Sequence, residues 1–171
     1  MTDKARLGYA GPVLPRSVWR AELTQRPVEP ELPYRHADPA DCDALGELML
    51  EAYRGTIDER YSKVQDTIAH VMRYFAGAFG NPILDCSFVV LDRERLVSTS
   101  LVTFDAGEPL LAQVYTAPAH QNRGLAGALI QLSMNALAAD GYSTLSLIAT
   151  VGNAPAEHLY SKLGFAPVED V

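Results

Sequence analysis

A chain of 171 residues, 48% hydrophobic and 20% charged, suits one domain with a real core. Its net charge of −7, with no cluster of Lys and Arg, argues against nucleic acid as a partner and favours a cationic ligand only weakly. No apolar run reaches the roughly 18 residues of a membrane span, and the N-terminal stretch has no signal-like apolar core, so no membrane partner and a cytoplasmic location are expected.

Residues 1–33 carry five of the eleven prolines and read as an extension over the surface. Within it "SVWRAEL" alternates apolar and polar residues, as one strand would. "YRHAD" (34–38) reads as a short strand, after which Asp38 or Asp41 caps a helix. Cys42 opens that region and Cys86 lies far from it, so both read as free core thiols rather than a disulfide or metal pair. Leu45, Leu48, Met49 and Ala52 give the helix its apolar stripe. A second helix is expected over about Tyr61 to Phe79, with Val64, Ile68, Val71, Met72 and Phe75 on one face. Its end is expected at "GNP" (80–82).

Strands follow at 86–92 and 95–105, joined as a hairpin, then a turn at "GEP" (107–109) and a strand at 110–117. A helix is expected from about 122 to 140, with Leu125, Leu129 and Leu132 inward and Gly141 at its end. A strand at 143–150, a helix from Asn153 to Gly164, and "FAPVEDV" complete the chain. The last two long strands flank a helix, so they should be parallel with a right-handed crossover.

The turn at 118–127 leads a strand into a helix N-terminus. There the first N–H groups lack intrahelical partners, and Gly124, Ala126 and Gly127 would let an anion approach closely. Neither a P-loop nor a full dinucleotide fingerprint is present. On these residues alone, an ordinary strand–helix connection is an equal reading.

Two blocks extend the pattern. "QNRGLA" (121–126) resembles the [Q/R]-x-x-G-x-[G/A] signature of the GNAT (Gcn5-related) N-acetyltransferase superfamily. "NAPAEHLYSKLGF" (153–165) resembles that family's second block, and the resemblance spans about residues 34–168. It implies an α/β GNAT fold: a mixed, mostly antiparallel sheet flanked by helices and splayed between the two late parallel strands. The division would be an N-terminal extension (1–33) and the acetyltransferase domain (34–171).

The resemblance also implies acetyl-CoA as cosubstrate, no metal, and an amine acceptor. Pyrophosphate would lie on Gln121, Asn122, Arg123, Gly124, Leu125 and Ala126, where Ala126 replaces a commoner Gly. The pantetheine arm would follow Val114, Tyr115 and Thr116, and the N–H of Tyr115 or Thr116 would polarise the thioester carbonyl. Tyr160 would be the general acid and Asn153 would hold pantetheine or water. Residues alone leave Tyr160 open as core and Asn153 as a helix cap. Glu108 stands where many members keep a carboxylate base, and is equally a turn residue. His120 reads as a solvent-facing loop residue. Tyr53, Asp58 and Glu59, between the first two helices, are candidates for an acidic, aromatic acceptor pocket, and equally a solvated loop. The alternative function is an acyl-CoA sensor without turnover.

Family members commonly continue past "LGF" through a hairpin, so one C-terminal strand is expected to be missing here. The "SVWRAEL" segment, or its equivalent from a second subunit of a homodimer, would then cover the open edge.

Overall fold

The computed structural model describes residues 14–169. Its elements in chain order are β1 (Arg16–Glu22), β2 (Tyr34–His36), α1 (Cys42–Tyr53), α2 (Val64–Phe75), β3 (Asn81–Pro82), β4 (Phe88–Asp92), β5 (Arg95–Asp105), β6 (Glu108–Thr116), α3 (Leu125–Ala139), β7 (Thr144–Thr150), α4 (Ala154–Lys162) and β8 (Ala166–Pro167). One sheet runs β2-β4-β5-β6-β7-β1-β8, with β3 beside β5. Every described strand pair is antiparallel except β6–β7.

The centre of the sheet is β5, whose residues Leu96 to Thr103 are all buried. A strand covered on both faces cannot alternate apolar with polar. Its polar side chains are instead paired inside: Ser98 with Thr116, Ser100 with Ser133, and Thr99 donating to the Phe88 carbonyl. One core cluster joins α1 and α2 to β4–β6. The other gathers Ile130, Met134 and Leu137 of α3 with Leu145, Leu147, Trp19 and Phe165.

The "SVWRAEL" segment enters the sheet. As β1 it pairs with β7 over seven residues, from Arg16↔Thr150 to Glu22↔Thr144, and on its other side with β8. Trp19 and Ala21 face inward, 7% and 2% exposed. Residues beyond β1 run along α3, where Asn135 bonds both main-chain groups of Arg26 and Gln131 donates to the Thr24 carbonyl. This second contact surface covers Gln131, while Ser133 is buried on Ser100 of β5 and Ile130 and Met134 pack in the core, so α3 is covered beyond the single stripe expected of it. Trp19→Ala should cost about 3–5 kcal/mol by leaving a core void. Equilibrium denaturation checks this, and a loss below 1 kcal/mol would contradict the placement of β1.

Other expectations shift. Helix α2 is shorter than read from the sequence, because Tyr61 precedes it and the chain turns at Ala76–Gly77. Met72 is 56% exposed, while Tyr74 is fully buried and donates to the Val102 carbonyl. "NP" does not merely end the helix but forms β3. Helix α3 begins at Leu125, so Asn122–Gly124 belong to the loop. The turn before β6 is Ala106–Gly107, both at positive φ, and Glu108 is already strand. Cys42 and Cys86 are free thiols.

His70 of α2 is wedged between Tyr61, whose hydroxyl lies 3.0 Å from Nδ1, and Phe79. Burial, with Arg73 and Arg16 adding to it, lowers its pKa from 6.5 to about 4. The unfolded chain therefore takes up this proton first, and stability falls as pH drops from 6.5, levelling off below about 4. The loss is at most about 3 kcal/mol, at about 1.4 kcal/mol per tenfold of proton affinity. His70→Gln should flatten this acid limb in denaturant midpoints taken from pH 7 to 4. An unchanged slope would assign the limb to other groups.

Candidate active site

The sheet opens where β6 and β7 part. They pair only at Leu110↔Ser146 and Leu111↔Leu147, yet β6 continues to Thr116 and β7 to Thr150. The cause lies one strand over. Opposite β5, the register of β6 jumps from Leu111 to Gln113, leaving Ala112 as a bulge that bends the strand away. Ala117 donates its N–H to Val97 of β5. By strand alternation Tyr115 also faces β5, while Val114 and Thr116 turn their main-chain groups into the gap. Val114's carbonyl accepts Tyr53 Oη at 3.1 Å, and Thr116's accepts Gln121 Nε2 at 3.2 Å. The Thr116 side chain is bonded to Ser98. Gln113 Nε2 is buried beside them with no partner among the described residues.

Beyond β6 a turn at Pro118–His120 is tied to the β4–β5 hairpin by His120 Nε2 and Asp92 Oδ2, 2.7 Å apart. His120 therefore holds the loop rather than facing solvent. Asn122 and Gly124 then adopt positive φ, 61° and 74°, which turns the chain into α3. No side chain caps α3, and nothing lies within 4 Å of where a Cβ on Gly124 would stand. The first N–H groups of a 15-residue helix thus face an open place at the end of the gap. Arg123 borders it, its guanidinium on Glu31. Leu125 points into the core, and Ala126 is half-buried.

Helix α4 supplies the facing wall. Asn153 caps it, its Oδ1 accepting Ala156 N–H. Tyr160 lies seven residues on, two turns along the same face. Its ring meets Trp19 and Phe165. Burial, then the charge of Asp58, pushes its pKa up to about 12. Tyr160 therefore holds its proton at neutral pH. Tyr53 is raised further by burial, and its ring meets Tyr115 edge-on at 5.7 Å.

The α1–α2 loop crosses to this wall. Asp58 accepts from Thr150 and Asn153, and Ile57 reaches toward Gly152. Glu59 instead accepts the Gly55 N–H and closes the loop's own turn. Glu108 stands apart. It pairs with Arg20 at 3.0 Å, at the opposite end of β6, about 20 Å from Val114 by strand rise. The fold thus gathers Tyr53, Asp58, Val114, Thr116, Asn153 and Tyr160 around the gap, with residues 121–126 at its end. Thr150 was not singled out from sequence, because its role depends on a loop about ninety residues away. Among the described residues, no three His, Cys, Asp or Glu are grouped to hold a metal, and no helix is long and apolar enough to cross a membrane.

Residues 44–165 match the family model described as the acetyltransferase (GNAT) family. Solved structures share the fold. A GCN5-related N-acetyltransferase from Sphaerobacter thermophilus is 22% identical with a TM-score of 0.67, over 96% of this chain and 51% of that one. An acetyltransferase of the GNAT family from Novosphingobium aromaticivorans is 18% identical, TM-score 0.62, over 91% and 61%. The PaiA N-acetyltransferase from Thermoplasma acidophilum, in complex with coenzyme A, is 18% identical, TM-score 0.63, over 82% and 92%. The chain spans about half the length of the first of these. No curated protein matches it.

Proposed function

Because the chain belongs to the GNAT acetyltransferase family, we propose that it transfers acetyl from acetyl-CoA to a primary amine by direct attack. The observation that carries this reading is the break in β6–β7 pairing beside the uncapped N-terminus of α3. Strand-like main chain at Val114 and Thr116 suits an amide-rich arm, and the N–H groups beyond Gly124 suit a phosphate. Gln121 to Ala126 form that cradle.

Bound acetyl-CoA supplies the activated thioester. The neutral amine attacks its carbonyl carbon, so a C–N bond forms and the C–S bond breaks. The Thr116 N–H, directed into the gap, stabilises the developing oxyanion, whereas that of Tyr115 is directed to β5. Tyr160 gives its proton to the departing sulfur. The amine's proton leaves through water, since Glu108 is too distant to take it directly. Asn153 orients the wall, and Tyr53 covers the acceptor side.

The distance of Glu108 favours one second reading, acyl-CoA binding without turnover. A single assay separates them: acetyl-CoA and an amine panel, followed by release of free thiol. Amine-dependent thiol release supports transfer. Acetyl-CoA binding with no release supports the sensor.

A further inference from the structure

The α1–α2 loop delivers a carboxylate to the mouth of the gap and fixes it there. Asp58 Oδ1 accepts from Thr150 Oγ1 at 2.6 Å, and Oδ2 from Asn153 Nδ2 at 2.7 Å. Thr150 ends β7 and is 6% exposed; Asn153 caps α4. Both donors belong to the framework, so the carboxylate's direction is set before any ligand arrives. An ionised carboxylate accepts about four hydrogen bonds, so each oxygen keeps a free lone-pair direction. Asp58 forms no ion pair among the described residues. Arg16, opposite Thr150 on β1, is exposed and reaches no carboxylate there. The phenol rings of Tyr53 and Tyr160 both feel the charge of Asp58, and aromatic faces attract cations.

The reacting nitrogen does not need this charge. It must be neutral to attack, and a carboxylate touching it alone would favour its protonated, unreactive form. A fixed carboxylate fits an acceptor with a second cationic group that stays charged throughout. We infer that Asp58 holds the second, non-reacting ammonium of the acceptor, which makes the acceptor a small diamine. This rests on the acetyl-transfer reading above. An ω-amino acid of equal length would instead bring a carboxylate toward Asp58 and be repelled.

The test measures kcat/KM for alkyl diamines of graded length, for monoamines of equal length, and for the matching amino acids. The best diamine should exceed its monoamine at least tenfold, through KM rather than kcat. Asp58→Asn should bring that ratio to about one, and Asp58→Glu should restore part of it. A ratio near one in the wild type, or one retained by Asp58→Asn, overturns the inference. Calorimetric titration of the same diamines into CoA-saturated protein reads the site without turnover. Diamine binding lost in Asp58→Asn, with no thiol released from any amine, supports the site and retires the transfer reading. Equal thiol release from monoamines and diamines does the reverse. Thermal melting establishes that the variants are folded, and where Asp58→Asn is not, the wild-type ratio and titration decide.

Discussion

Tyr160→Phe is expected to lower turnover about 100-fold or more while leaving acetyl-CoA affinity within about twofold. The substitution removes one oxygen and keeps the ring, so the contacts with Trp19 and Phe165 survive. The Tyr160 hydroxyl has no hydrogen-bond partner among the described residues, so no framework bond is lost with it. Its pKa, pushed up to about 12 by burial and Asp58, leaves a neutral phenol at pH 7, a proton donor rather than a base. The pH profile of the wild type should therefore show no fall from Tyr160 ionisation below about pH 11. Single-turnover thiol release, with binding measured separately, checks both statements. Equal turnover in the phenylalanine variant would remove Tyr160 from the mechanism.

Gly124→Glu is expected to raise the dissociation constant for CoA at least 100-fold and to leave a folded protein. A Cβ at this position meets nothing within 4 Å, so the side chain is sterically tolerated in the free protein. The φ of 74° costs a non-glycine residue roughly 1–2 kcal/mol. That is a modest melting shift, not unfolding. The carboxylate would stand in front of the α3 N-terminus, where the phosphate charge is to be held. Gly124→Ala separates the terms, since it carries the backbone cost without the charge. It should lose little CoA affinity. Retained affinity in the glutamate variant would show that the phosphates lie elsewhere.

Much of this site was legible in the sequence, for local reasons. The strand–loop–helix at 110–139 follows from periodicity, from Gly124 and from the small residues after it. The cap at Asn153 and the two-turn spacing to Tyr160 are local as well. Glu108 was not resolvable in this way. Its place in the sequence fits a base, but β6 is long enough to carry it to the far end, where Arg20 of β1 takes it. Such a partner lies 88 positions away and has no signature. Asp58 shows the same limit from the other side. Its type was suggestive, yet its direction comes from Thr150 and Asn153, both more than ninety positions distant. The bulge at Ala112, which opens the gap, leaves no trace in an alternation that otherwise reads as regular strand. Met72 failed because the face that α2 buries is rotated from the stripe its apolar residues mark, toward Thr67 and Tyr74. Helix α2 buries Thr67, Val71 and Tyr74 and turns Met72 outward.

The position of β1 bears on the order in which the molecule assembles. Arg20 meets Ser146 across 126 positions, so β1, the first of the described strands, can find its partner only once β7 has been made. The β4–β5–β6 meander can form while β1 still waits, because its contacts are local. The wing containing β7, β1 and β8 closes later, and with it the ring of Trp19 against Tyr160. A nascent chain would thus complete its meander first and the wall of the gap last, with loop closure between β1 and β7 as the slow step.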